Sequence, residues 1–280
     1  MTAETADAAP PPRKVMVKRH GLLVRLNHWI NVIALTLLLM SGLQIFNGHS
    51  HLYWGKASDF GHGWLSMDSE YKGKDLLGYV TVLGHKFDTT GFLGASKFEG
   101  KMQDYGFPPW LVLPHAYNLT VARRWHFFWA WIFVTNGLIY LITGLIGRRL
   151  PREVIPTGRD LKTALKDPHL RLKFSKGPEA AHYHQMQKIA YAGVIFVLLP
   201  VVALTGMTMS PGLNAAFPFL LQIFGGRQSA RSIHFICANL IVAFVLVHLL
   251  AVLLSGPINQ VRAMITGRLA IIPDAGEARP

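Results

Sequence analysis

Four stretches of this 280-residue chain contain no Asp, Glu, Lys or Arg: Leu26–Gly55, Trp125–Gly147, Ile189–Gly226 and Ser232–Val261. Each can hold the roughly 20 apolar residues with which a helix crosses the bilayer core. Spans are expected near 24–46, 124–146, 189–210 and 232–255. Only 15% of the residues are charged and 51% are hydrophobic, against about 25% charged in an ordinary soluble domain. The expected fold class is therefore an all-α membrane protein, a four-transmembrane-helix bundle with a large extracytoplasmic loop between helices 1 and 2. This excludes a disordered chain, a disulfide scaffold and a plain cytosolic enzyme. The single cysteine, Cys237, excludes an intrachain disulfide, a four-cysteine iron–sulfur cluster and a Cys-x-x-Cys-His haem attachment.

Charge sets the expected orientation. The N-terminal segment through Arg25, the 147–188 segment and the tail after Gly256 carry 18 of the 28 basic residues against 8 acidic ones. The segments on the opposite side carry 10 basic and 7 acidic. The positive-inside rule puts the first set in the cytoplasm. The expected organisation is a cytoplasmic arm at 1–23, a membrane domain at 24–255 and a cytoplasmic tail at 256–280. Within the membrane domain, 47–122 forms a periplasmic loop and 147–188 a cytoplasmic loop. The first apolar run exceeds the 7–15 residues of a signal-peptide core, so it reads as a retained span. The basic residues serve orientation and contact with the lipid bilayer; no soluble basic face for nucleic acid is evident.

The loop 47–122 reads as a small subdomain with a hairpin around the Leu76–Gly84 run. Phe107–Pro114 reads as an interfacial segment, and 212–226, interrupted by Pro218 and Gly225-Gly226, as lying along the outer surface. Pro200 is expected to kink span three, and a short helix is expected near 159–167, closed by Pro168.

Four histidines lie in or at the ends of the spans: His28, His126, His234 and His248. Ionisable residues in membrane helices usually face a bundle interior or a cofactor. His234 and His248 are 14 residues apart on one span, almost four turns, so they share a face about 21 Å apart along the axis. His126 falls in the same membrane half as His234, and His28 in the same half as His248. Each pair suits the axial positions of a b-type haem, because neutral imidazole donates a nitrogen lone pair to iron. Two haems in one bundle would carry electrons across the membrane. Arg25, Arg123, Arg124 and Arg231 lie close to the histidines and suit haem propionates. Ser41-Gly42, Thr143-Gly144 and Thr205-Gly206 place small residues where a flat macrocycle approaches, a role they share with plain helix packing. Cys237, one turn after His234, reads as a packing residue.

Three features together resemble a known family. They are Arg25-Leu26-Asn27-His28-Trp29 opening span one, Arg124-Trp125-His126-Phe127 opening span two, and the His234/His248 pair on span four. The sequence resembles the di-haem cytochrome b subunits of membrane-bound formate dehydrogenases, nickel–iron hydrogenases and thiosulfate reductases, within the bacterial cytochrome b561 group. The resemblance covers the spans and not the 47–122 loop. It implies a four-helix core, two haem b groups and electron exchange between quinone and a partner enzyme. Tyr183-His184-Gln185-Met186-Gln187-Lys188 resembles a Tyr-Asn-x-x-Gln-Lys-like quinone segment of the formate dehydrogenase subunit, with His184 at the Asn position. His184, Gln187 and Lys188 are the candidate quinone residues.

The function expected from the sequence is electron transfer across the bacterial inner membrane between the quinone pool and a periplasmic, molybdenum-containing redox enzyme subunit. One rival is a stand-alone superoxide:quinone oxidoreductase with the same four ligands and a cationic outer rim. A second is a metal transporter, suggested by the histidines of the outer loop and opposed by spans that lack acidic residues.

Overall fold

The computed structural model describes residues 14–114, 118–160, 162 and 185–271. Among them are four helices long and apolar enough to cross a membrane: α1 (Leu22–Asn47), α2 (Leu119–Ile146), α3 (Gln187–Met209) and α6 (Arg227–Leu254). The four expected spans are all present. Two start five residues before the expected boundary, because the apolar run needs a polar lead-in turn whose N–H groups can be satisfied outside hydrocarbon. In α3 the backbone widens to a π-type turn at Val194–Leu198, ending two residues before Pro200. Proline lacks an N–H and its ring crowds the preceding turn, and a wider turn accommodates both effects.

The chain divides into two compact units. The larger comprises Asn27–Ile142 and Gly193–Phe244. The all-α expectation fails here, because the stretch after α1 is built from strands. An antiparallel sheet runs in the order β2 (His51–Leu52), β3 (Leu65–Lys72), β4 (Asp75–Val82), β5 (His85–Asp88), and β6 (Gly94–Phe98) pairs with β7 (Lys101–Tyr105). Period-two burial drives this: Leu65 and Met67 on β3, and Leu76, Gly78 and Val80 on β4, point inward. Three two-residue turns make the hairpins. Gly73-Lys74 places a positive φ first, while Leu83-Gly84 and Glu99-Gly100 place positive φ at both positions, as type II′ and I′ turns require.

The subdomain is not a separate body within this unit. Its core of Leu52, Leu65, Met67 and Val80 includes Phe46 from the end of α1, and Phe235 of α6 packs against it. Between α3 and α6 lie two short helices, α4 (Pro211–Ala216) and α5 (Phe219–Ile223), with Pro218 and Gly225-Gly226 breaking the run as expected. Asn136 of α2 ties to α1 by donating to Asn27 O at 3.0 Å and Asn31 Oδ1 at 2.8 Å, and Asn27 donates back to Asn136 O at 2.8 Å.

The smaller unit holds Met1–Leu26, Thr143–Ala192 and Val245–Pro280. Here β1 (Val15–Lys18) pairs with β8 (Arg268–Ile271), joining Val15 to Ile271. After Gly256 the chain turns into α7 (Pro257–Thr266), which carries β8 through Asn259: its side chain donates to Ala270 O at 2.9 Å and accepts from Ala270 N at 3.0 Å. Of the expected helix near 159–167, Gly158–Asp160 is helical. Its remainder, apart from Lys162, lies outside the described residues.

Candidate functional site

Two of the four candidate histidines meet in the larger unit. His126 follows the first residue of α2 by seven positions, and His234 follows the first residue of α6 by seven. Their ring centroids are 6.2 Å apart with planes at 65°. With metal–nitrogen bonds of about 2 Å, two imidazoles on opposite sides of one ion have about this separation.

Each ring is backed in the same way by a neighbouring helix. Nδ1 of His126 lies 3.1 Å from Leu38 O and 3.1 Å from Ser41 Oγ. Nδ1 of His234 lies 2.9 Å from Val202 O and 3.1 Å from Thr205 Oγ1. A carbonyl oxygen only accepts, so Nδ1 carries the proton in both rings and the lone pair falls on Nε2. Such support from outside the ligand shell fixes both tautomer and ring orientation in metal-binding histidines.

The glycine after each hydroxyl residue makes room. A Cβ on Gly42 would stand 3.3 Å from His126 Cε1, and one on Gly206 would stand 3.3 Å from His234 Cε1. Two of the three small-residue pairs noted in the sequence therefore cradle an imidazole. The third, Thr143-Gly144, packs against the Leu150 side chain instead, where an added Cβ would come within 2.6 Å.

The start of α6 is held by the β-subdomain. Gly55 O accepts from Gln228 N at 3.1 Å and Ser229 N at 3.2 Å, satisfying first-turn donors that have no partner inside the helix. Gly55 N donates to Ser229 Oγ at 2.7 Å, and the Trp64 indole donates to Ser232 Oγ at 2.9 Å. Cys237 is buried, as expected of a packing residue.

The other expected site residues fall elsewhere. His28 lies on α1 with its ring edge-on to Trp29 at 5.1 Å. His248 lies on α6, in the smaller unit. Arg25 donates to Ile265 O at the end of α7, and Arg124 is exposed. Gln187 is exposed at the start of α3. The Lys188 ammonium is 3.9 Å from Asp160 Oδ2. His184 lies outside the described residues. The sequence reading missed Asn136, whose partners Asn27 and Asn31 stood in plain view; an Asn inside an apolar span was the available signal.

A pair of imidazoles, each with Nδ1 held by a helix carbonyl and each backed by glycine, is the donor set that a haem iron would take. Comparison with known proteins agrees. The sequence model of prokaryotic cytochrome b561 matches residues 19–267, so the chain belongs to that family, whose members bind haem b. It is a multi-pass membrane protein, and the transporter reading is set aside. It is also 27% identical over 240 residues to the "Putative protein-methionine-sulfoxide reductase subunit YedZ1" of Azospira oryzae, covering 84% of this chain and 90% of that one. No solved structure matches the chain.

Proposed function

We propose that this cytochrome carries electrons across the membrane through two haem b groups, between the quinone pool and a redox enzyme subunit on the periplasmic side. The observation that carries the reading is the matched backing of His126 and His234, which leaves both Nε2 lone pairs for iron. When bound, haem supplies a reversible one-electron carrier. The chain's own part is to hold two neutral imidazoles with fixed tautomers and to keep water away from the wire. His28 and His248 are the ligands proposed for the second haem, on the cytoplasmic side.

The partner is proposed as an enzyme that reduces an oxidised substrate, since the similar Azospira oryzae protein is named as a methionine-sulfoxide reductase subunit. Electrons then run from quinol to partner, which we propose to be a molybdenum enzyme. The β-subdomain between α1 and α2 is the proposed docking surface, because it packs on the helix that carries His234. The quinone site is proposed at the start of α3, at Gln187 and Lys188, together with His184 nearby in the sequence; the three supply hydrogen-bond donors and a proton route.

The test is direct. The purified chain should show two b-type haems per polypeptide, and both should be reduced by quinol in the absence of partner. Oxidation of superoxide coupled to quinone reduction by the isolated chain would instead support the stand-alone superoxide:quinone oxidoreductase.

A further inference from the structure

Arg231 precedes His234 by three residues, so α6 presents both on one face. Its guanidinium donates to the backbone oxygen of His49 and is part-buried. Its Cζ lies 5.8 Å from the ring centroid of Phe46. Phe46 follows Gly42 by four residues on α1, which places it on the face that meets His126, and it stacks on Phe235 at 4.9 Å. Arg231 therefore stands one helical turn from the axial pair, on the same side.

A part-buried guanidinium needs a counter-ion, because desolvating a cation without one is costly. Among the described residues no carboxylate comes within 4.0 Å of Arg231. The nearby acids are engaged. Asp68 pairs with His51 at 3.0 Å and accepts from Ser66 Oγ at 2.6 Å, and Asp59 pairs with His62 at 3.0 Å.

Beside Arg231 two further polar atoms are buried without a hydrogen-bond partner: Nε2 of His49 and the hydroxyl oxygen of Tyr53. Their rings are 5.8 Å apart. The charge of Arg231 acts on both groups, favouring the neutral imidazole and the tyrosinate, although burial dominates each shift: the His49 pKa moves down and the Tyr53 pKa moves up. At neutral pH both side chains are thus neutral and can donate. One cation and two idle donors, withdrawn from water, make an arrangement complementary to a carboxylate.

We infer that Arg231, His49 and Tyr53 form a carboxylate receptor, and that its occupant is a propionate of the haem held by His126 and His234. This rests on the haem reading of that pair. Arginine suits the role because its planar fork meets a carboxylate with two parallel N–H donors. Buried hydroxyl and imidazole groups left without partners are destabilising, and a propionate satisfies both.

The experiment uses full-length holoprotein. Arg231→Leu should retain the haem while lowering the midpoint potential of the component that His234→Ala removes, because losing a nearby cation favours ferric iron. The propionate bending mode in its resonance Raman spectrum should shift, and Arg231→Lys should restore part of both changes. An unchanged potential and Raman mode in Arg231→Leu with full haem content would overturn the receptor. If Arg231→Leu loses the haem, the double variant His49→Gln/Tyr53→Phe carries the test. A Raman shift there supports the receptor, and none refutes it. Sodium acetate separates the sources of the carboxylate. Wild-type potential should be insensitive to it, whereas dependence on acetate with an unmoved Raman mode would assign the receptor to a free anion and overturn the propionate. Full haem content in His234→Ala would sink the haem reading itself, a distinct outcome.

Discussion

Trp64 donates its indole N–H to Ser232, two residues before His234, at 2.9 Å. Ser232 in turn donates to Tyr53 O at 2.6 Å. The β-subdomain thus grips α6 within one turn of His234. Ser232→Ala leaves a buried indole N–H unpaired, a cost of about 1–3 kcal/mol. It should lower the thermal midpoint at which the haem's Soret band is lost, while leaving the band position in the folded protein unchanged. An unaltered midpoint would show that water replaces the hydroxyl.

Gly42 and Gly206 admit nothing larger without moving an imidazole. Gly206→Val should displace His234, and Gly42→Val should displace His126, each costing the same haem and leaving about half of the total in a pyridine haemochrome assay. Gly144→Val should act differently. Its clash is with Leu150, so the loss is of folding stability, about 1–3 kcal/mol as for an overpacked core, with both haems retained. Equal haem loss in all three variants would mean that the glycines serve only helix packing.

His234→Ala or His126→Ala should remove one haem, and His248→Ala or His28→Ala the other. The double variant His126→Ala/His234→Ala should then keep about half the haem. A chain stripped of all haem by that pair, yet folded, would carry one haem and no second site.

His184→Ala and Gln187→Ala should slow quinol-driven haem reduction without altering either haem spectrum. Normal kinetics in the double variant would move the quinone to the other haem, near His126 and α4–α5.

Asp160 provides a pH signature beside Lys188. Hydrogen bonds from the Thr157 backbone N–H and hydroxyl, ahead of the Lys188 and Arg159 charges, hold its carboxyl below the usual carboxylate range. A depressed carboxylate contributes stability that is complete above the unfolded value of about 3.9 and is lost as pH falls through the folded value. Hydrogen-exchange protection of residues 157–160, corrected for intrinsic rates, should fall on acidification in the wild type. Asp160→Asn should flatten that dependence, and identical profiles would remove Asp160 from the account.

The helices and the nearness of His126 to His234 were legible because both follow from the placing of the apolar runs. Bilayer thickness imposes the length of an apolar run, and the helical period imposes a common face on residues 14 apart. The Ser41-Gly42 and Thr205-Gly206 pairs were visible as small residues, but their assignment to His126 and His234 needed contacts between different helices, which no local spacing encodes. The β-subdomain was legible only in part: the Leu76–Gly84 run forms the expected hairpin, β4 with β5, and the other strands were not foreseen. Its hairpins turn on Gly73-Lys74, Leu83-Gly84 and Glu99-Gly100, which lack the Asn-Gly or Asp-Gly signature of such turns. Its strands bury one face against Phe46 and Phe235, so their hydrophobic partners lie in helices far away in sequence. Arg25 shows the same limit: its acceptor, Ile265 O, lies 240 residues downstream, a contact that no local spacing encodes.

The ribbon that joins Val15 to Ile271 spans nearly the whole chain. A contact at such sequence separation closes a very long loop, and closure entropy defers it to late in assembly. Synthesis delivers residue 15 before, and residue 271 after, all four apolar helices. The ribbon can therefore latch only once every helix has been made. Until then, its two arms remain unpaired edges. A chain truncated before Arg268 never closes them, so the ribbon ties its own completion to that of the four helices.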